Sequence, residues 1–357
     1  MKKVLIVIPT LEQGGGQKFV MDLVKGIDKE KFQIKILVYY KNTNSVFDQY
    51  AHNNCFDVVY LDKNVGLDIT MFKKVKKVVK EYNPDIIHTH LHSMLYLFTS
   101  YKKKQVKLHT VHTLAEKEAV GLQGVVRFIA YKLLGVTPVA ICGTVADSIS
   151  TRHHIDKSKI PVVYNGVDCN RYDIPRVSSD KIRLVTIGNI YDVKNYSFLV
   201  DCFSETCKKI DDVTLTIVGD GVLRTDLEQQ ISNLNLNDKV KITGIVPDVE
   251  NYLSDADIYV ASSIFEGLPL SMLEAMSAGL PIVSTNVGGV HDIVENEKNG
   301  ILIDFGDKLG YVNAMNKLIL DSNYRRCLSQ KSKENSLKYD EKLCVKGYER
   351  LYVGSNK

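Results

Sequence analysis

Short apolar runs and longer amphipathic stretches alternate along nearly the whole chain. KVLIVIP (3–9) is followed by a helical pattern from about Gln17, then by FQIKILVYY (32–40) and the lysine-rich helix MFKKVKKVVKEY (71–82). PDIIHTH (84–90), VKLHTVH (106–112) and PVAICG (138–143) continue the alternation. Apolar runs of this kind are expected of strands covered on both faces, and helices between them make the strands parallel. After PVVYNGVD (161–168) comes a polar stretch, RYDIPRVSSDK (171–181), which reads as a linker. The pattern then restarts with IRLVTIGN (182–189), VTLTIVGD (213–220), KVKITGIV (239–246), ADIYVASS (256–263) and LPIVSTNVGG (280–289). The expected fold class is α/β, with two Rossmann-like domains, over 1–175 and 176–340, facing one another. In open sheets of this type, ligands bind beyond the carboxyl ends of the strands.

One helix carries a polar residue on its apolar face. In FEGLPLSMLEAMSAGLPIV (265–283), Pro269 suits a first helical position, and Leu270, Leu273 and Met276 recur at helical spacing. Glu274 falls almost under Leu270, with no Lys or Arg three or four residues away. A buried carboxylate without a partner costs several kcal/mol, so a polar ligand is the expected partner. Glu266 sits just before, on the loop after a strand, and the helix-start amides from Gly267 through Leu268 to Leu270 supply hydrogen-bond donors. Sugar hydroxyls need acceptors and diphosphates need donors. This short segment offers both, with Glu274 placed for two neighbouring ribose hydroxyls.

Composition narrows the setting. A chain of 357 residues, 45% apolar, is long enough for two well-buried cores. Only five apolar residues precede Pro9, too few for a signal-peptide core, and no run of 18 apolar residues follows. Seven cysteines without a C-x-x-C pair suit a reducing compartment, so a cytoplasmic location is expected. The net charge of +4 hides an asymmetry: residues 1–175 carry 25 basic and 16 acidic side chains, the remainder 21 and 26. The lysines concentrate in 71–82 and in YKKKQVK (101–107). Such a surface fits water, nucleic acid or anionic lipid headgroups. Met71, Phe72, Val75, Val78 and Val79 oppose the lysines of the first stretch, which suits packing on the sheet as well as membrane contact.

The other strand ends hold further candidates. PTLEQGGGQKF (9–19) places Gly14, Gly15 and Gly16 between a strand and a helix, either as a plain tight turn or as an anion site. It is not a dinucleotide signature, since G-x-G-x-x-G is absent there. IVGDG (217–221) is a similar turn, and IGNIYDVKN (187–195) brings Lys194 near a strand end, where a point charge suits a phosphate. The alternating histidines of HTHLH (88–92) read as a metal site or as structural histidines, and His112 as a cleft residue or a hydrogen-bonded structural one.

Taken together, these segments resemble the retaining GT-B glycosyltransferases of family 4. Glu266 and Glu274 look like that family's paired glutamates, and PTLEQGGGQKF, PDIIHTH, TVHT, VYNGVD, IVGDGVLRTDLE and GGVHDIV match its other landmarks in order, across essentially the whole chain. The resemblance implies a hexosyltransferase-type enzyme with a nucleotide-sugar donor, a UDP-sugar by preference, held mainly by the second domain. It implies a saccharide or lipid-linked acceptor on the first domain, and retention of anomeric configuration without metal or cofactor. Glu274 would bind the ribose, and Glu266 with the amides of Gly267, Leu268 and Leu270 the transferred sugar. Lys194 would neutralise the leaving diphosphate, aided by Gly15 and Gly16, and His112 would approach the donor sugar. In the family's mechanism as usually drawn, the donor phosphate itself takes the acceptor proton. Asn189 departs from the pattern, standing where the family usually has an arginine phosphate clamp. CVKGYERLYVGS (344–355) resembles the terminal helix, over 341–357, that crosses back to the first domain. Assembly of a bacterial surface polysaccharide is the implied pathway, with an anionic membrane surface as a further partner and no nucleic acid. A nonhydrolysing nucleotide-sugar epimerase and a noncatalytic sugar-binding scaffold are the rival readings.

Overall fold

The computed structural model describes residues 1–12, 14–118, 120–175 and 179–354. Gln13 of the glycine turn, 176–178 of the stretch read as linker and Ser355 of the terminal segment lie outside them. The chain forms two compact units: unit 1 is Met1–Asn165 with Glu341–Lys357, and unit 2 is Gly166–Asp340.

In unit 1, strands and helices alternate as β1 (Lys2–Ile8), α1 (Gly15–Gly26), β2 (Phe32–Val38), α2 (Val46–Asn53), β3 (Val58–Tyr60), α3 (Thr70–Tyr82), β4 (Ile86–His90), β5 (Val106–Val111), α4 (Ala115–Glu118), α5 (Leu122–Leu133), β6 (Thr137–Ala140) and α6 (Gly143–His153). The six strands lie in the order β3-β2-β1-β4-β5-β6, and every pairing is parallel. Val4 to Ile8 are fully buried, as expected of a central strand covered on both faces. The lysine-rich α3 turns Met71, Val75, Val79 and Tyr82 inward at helical spacing and ends at Asn83, in the left-handed region at φ 50°.

Unit 2 repeats the plan with β7 (Ile182–Ile187), α7 (Tyr196–Cys207), β8 (Val213–Val218), α8 (Arg224–Asn233), β9 (Val240–Ile242), α9 (Glu250–Ser254), β10 (Ile258–Ala261), α10 (Leu270–Ser277), β11 (Ile282–Thr285), α11 (Val290–Ile293), β12 (Gly300–Ile303), α12 (Lys308–Leu320) and α13 (Ser322–Ser336). The order is β12-β11-β10-β7-β8-β9, again parallel throughout. In each unit the strand order reverses beside the first strand, between β1 and β4 and between β7 and β10. Such a reversal leaves a crevice at the carboxyl edge of a sheet. Gly219, just past β8, has φ 151°, and a Cβ there would stand 2.1 Å from the carbonyl oxygen of Gly188 past β7. That approach closes the edge beside the β7 loop, and only glycine permits it.

Three details differ from the sequence pattern. The edge strands β3 (VVY) and β12 (GILI) are further strands that the apolar runs above do not include. The run 161–168 is no strand and makes only isolated bridges, Ala140 to Val162 and Val167 to Asp340. The units part at Asn165 rather than at 175, because the segment after Gly166 packs on unit 2. There the Val167 amide donates to the Tyr339 carbonyl at 2.9 Å, and Ser277 Oγ to the Cys169 carbonyl at 3.2 Å.

The last helix, α14 (Glu341–Val353), belongs to unit 1 and carries two buried tyrosines into it. The Tyr352 hydroxyl lies 2.8 Å from His88 Nδ1, and that of Tyr348 2.9 Å from Thr110 Oγ1, which in turn lies 2.7 Å from His88 Nε2. Burial holds His88 down to about 3, His112 and His153 to about 4, and His90 and His109 well below the ordinary range, with neighbouring cations and histidines adding to the effect except at His112. Below pH 6.5 the unfolded chain takes up protons that these five rings refuse, so their stability is present above 6.5 and lost as pH falls. Glu118, pushed up to about 7 by burial against the opposing pull of Arg127, acts in the other direction and offsets one ring. Acidification from pH 7 to 5 is therefore expected to cost about 1 kcal/mol per pH unit for each uncompensated histidine. Calorimetry should show a steep fall in Tm for the transition containing unit 1; a flat Tm across that range would contradict the assignment.

Candidate active site

Unit 2 gathers its chemistry where β7 and β10 leave the sheet. After β7 the chain passes Gly188 and Asn189 into a short 3-10 turn, Asp192–Lys194, which is held to the loop after β10 by the Ile264 amide donating to the Val193 carbonyl at 2.8 Å. Ser262 Oγ donates to the carbonyls of Lys194 and Asn195, both at 2.9 Å. The two loops are thereby tied together, and the Lys194 ammonium meets Glu266 Oε1 at 2.6 Å. Ser263 Oγ donates to the same oxygen at 2.7 Å. Burial works against the Lys194 charge, but Glu266 outweighs it and raises Lys194 above its ordinary value. A small pocket surrounds the pair, lined also by Tyr196, Tyr259 and Ser271.

The Glu266 backbone is fixed from the far side. Gly288, at φ 52°, lies so close that a Cβ there would stand 1.9 Å from the Glu266 carbonyl oxygen, and the Gly289 amide donates to that oxygen at 3.3 Å. Gly267 and Leu268 follow as buried loop residues, Pro269 caps α10 instead of opening it, and Leu270 is its first residue. The buried face inferred for Glu274 is real, since the residue is only 3% exposed. One partner within the unit is Tyr172, whose phenol is raised first by burial and then by the Glu274 charge and hydrogen bond. Tyr172 lies about a hundred residues away in sequence, so helical spacing alone had no means of finding it. A carboxylate offers about four lone-pair positions, so the hydrogen bond to Tyr172 leaves capacity for further donors.

Unit 1 places its candidates at the carboxyl edge as well. His112 follows β5 directly and sits beside His90 at the end of β4, Nε2 to Nδ1 3.1 Å. Phe19 of α1 packs on both rings, with centroids 5.2 Å from His112 and 5.7 Å from His90. Gly15 opens α1, and a Cβ at Gly16 would touch the Leu91 side chain at 3.1 Å. Both ring nitrogens of His88 are engaged, by Tyr352 and Thr110, as in the structural reading of that histidine. Sequence spacing also gave no sign of Arg127. This buried side chain pairs with Glu118 Oε1 at 3.0 Å and donates to the carbonyls of Glu118 and Leu91, bracing the loops on either side of His112.

The sequence-predicted residues thus fall into two sets. Asn189, Lys194, Glu266, Gly267, Leu268, Leu270 and Glu274 share the carboxyl edge of the unit 2 sheet, and Gly15, Gly16 and His112 that of unit 1. Ser262, Ser263, Gly288 and Tyr172 complete the unit 2 site.

Two family models match consecutive parts of the chain: Glycosyltransferase Family 4 over residues 13–171, and Glycosyl transferases group 1 over 173–335. Among curated relatives, the chain is 26% identical over 328 residues to the UDP-Gal:alpha-D-GlcNAc-diphosphoundecaprenol alpha-1,3-galactosyltransferase of Escherichia coli, covering 84% of each. It is also 26% identical to the N-acetyl-alpha-D-glucosaminyl L-malate synthase of Bacillus anthracis, covering 80% of this chain and 78% of that one. Among solved structures, a glycosyltransferase from Rickettsia africae superposes with a TM-score of 0.85 at 19% identity, covering 100% of this chain and 99% of that chain. Anabaena Alr3699/HepE in complex with UDP and glucose does so with 0.85 at 18% identity, covering 99% and 100%. With a GT-B pair of parallel sheets and both halves matched, the chain belongs to the family 4 glycosyltransferases, enzymes of the hexosyl-transferring class.

Proposed function

We propose that this glycosyltransferase moves a hexose from a UDP-sugar to a lipid-linked saccharide with retention of anomeric configuration, in the assembly of a bacterial surface polysaccharide. The observation that carries the donor side is the convergence of Lys194, Glu266 and Glu274 on the β7/β10 edge of unit 2. Glu274 accepts from the ribose hydroxyls while Tyr172 keeps it oriented. Lys194 turns its charge from Glu266 to the diphosphate, where negative charge develops as the glycosidic bond breaks. Glu266, released from that pair, accepts from hydroxyls of the transferred sugar. Asn189 supplies a neutral donor where an arginine would supply a charge, leaving Lys194 the larger share of the neutralisation. The acceptor oxygen bonds to the anomeric carbon, the bond from that carbon to the phosphate oxygen breaks, and the acceptor proton passes to the departing diphosphate. In unit 1, His112 is the group assigned to the sugar, with Gly15 and Gly16 beside it at the same sheet edge. The E. coli relative, named for a UDP-Gal donor and a diphosphoundecaprenol-linked acceptor, supports both the base and the acceptor class.

Two variants test the donor assignment. Glu274→Gln is expected to weaken UDP binding about tenfold by calorimetry, through loss of charged hydrogen bonds to the ribose; unchanged affinity would remove the ribose role. Glu266→Gln should leave UDP binding intact or tighter, because Lys194 is freed, while transfer falls about 100-fold. Lys194→Ala should lose both binding and transfer. Equal behaviour of the Glu266 and Lys194 variants would contradict the division of roles.

A further inference from the structure

His90 closes β4, and the turn that follows it is fixed on several sides. Leu91 lies in the left-handed region at φ 53°, a conformation that a bulky side chain takes only where its surroundings impose it. The His90 amide donates to Ser93 Oγ at 3.2 Å, Ser93 Oγ donates in turn to the Val7 carbonyl at 3.0 Å, and Arg127 donates to the Leu91 carbonyl at 3.2 Å. The His90 ring packs on His88, with centroids 4.1 Å apart, and on Phe19 at 5.7 Å. His90 is fully buried, whereas His112 beside it is partly exposed at the sheet edge. A side chain held this firmly can fix the one it touches.

The 3.1 Å contact between His90 Nδ1 and His112 Nε2 holds a single hydrogen, because both rings are neutral near pH 7. Two arrangements fit that distance. If His112 donates, its own Nδ1 becomes an acceptor and His90 Nε2 carries a hydrogen. If His90 donates, His90 Nε2 is a bare lone pair and His112 Nδ1 carries the hydrogen. His90 Nε2 is buried and has no hydrogen-bond partner among the described residues, and a buried N–H without an acceptor is rare in folded proteins. The second arrangement avoids one. His109, on the neighbouring strand β5, distributes its hydrogens in the same way. Thr89 Oγ1 gives its one hydrogen to the Leu108 carbonyl at 3.0 Å, so the 2.9 Å contact between Thr89 Oγ1 and His109 Nδ1 is donated by the ring. His109 Nε2 is then a bare nitrogen, buried and without a hydrogen-bond partner among the described residues.

We propose that His90 is the positioning residue of His112: its Nδ1–H donates to His112 Nε2 and makes His112 Nδ1 an N–H donor at the carboxyl edge of the unit 1 sheet. Which nitrogen of a neutral imidazole carries the hydrogen is set by the bond that the other nitrogen makes. A free imidazole in water prefers the hydrogen on Nε2, and His90 reverses that preference. Among the described residues His112 Nδ1 has no hydrogen-bond partner, so its hydrogen is left for a ligand oxygen. A neutral donor of this kind suits a saccharide oxygen, and in that use the inference rests on the sugar role of His112 proposed above.

Histidine tautomers are read from the two ring nitrogen shifts. With the full chain labelled with nitrogen-15 at its nine histidines, and the His112 signals identified by their loss in His112→Gln, the wild type at pH 7 should show His112 in the Nδ1–H form. His90→Phe keeps an aromatic ring beside Phe19 but has no donor, and should convert His112 mainly to the Nε2–H form. His90→Asn places an amide N–H near the position of Nδ1 and should restore the Nδ1–H form. UDP affinity should be equal in all three proteins. Release of UDP from UDP-glucose or UDP-galactose should fall about tenfold in His90→Phe, the worth of one neutral hydrogen bond, and recover in His90→Asn. The wild-type shifts decide the tautomer on their own where a variant fails to fold. An Nε2–H form of His112 in the wild type, or a tautomer that His90→Phe leaves unchanged, would overturn the proposal. With the tautomers as expected, turnover insensitive to His112→Gln would leave the pair standing and remove only the sugar role.

Discussion

The ion pair between Lys194 and Glu266 ties the unit 2 site together. It joins the loop after β7 to the loop after β10, the two strands between which the sheet order reverses. Everything around it serves to hold these loops in register: the serine bonds to the Lys194 and Asn195 carbonyls, the Ile264 amide on the Val193 carbonyl, and Gly288 pressed against the Glu266 backbone. A partly buried pair of this kind is weak evidence for stability, since desolvation offsets much of the attraction. Its value is chemical. It keeps a cation and an anion side by side in a place where a charged ligand can separate them and use each.

The same logic of shared edges organises unit 1, with a different balance of polar groups. Five neutral histidines and two tyrosines of α14 fill space that a purely apolar core would otherwise occupy. The returning helix is thus fastened to the sheet by directional bonds as well as by apolar contact. The cost is sensitivity to acid, and the gain is a rigid floor beneath His112.

Much of this was legible in the sequence, for a physical reason. Buried parallel strands have no polar alternation, so β1, β4, β5, β7 and β10 announce themselves, and with them the loops that carry Lys194, Glu266 and His112. Glu274 was legible because a carboxylate on an apolar helix face contradicts its surroundings. What remained hidden depends on contacts distant in sequence. Tyr172 as a partner of Glu274 belongs to a segment that looks like linker, and Arg127 braces loops to which no spacing rule connects it.

The account rests on unit 2 receiving the nucleotide at the β7/β10 edge, and hydrogen exchange tests that placement without assuming any residue's role. With saturating UDP, amides in 187–195 and 262–275 should gain protection, with little change in the peptides of β9 and α8. Protection confined to the β9 and α8 side, or none in either unit 2 segment, would contradict the placement of the donor and with it the central claim.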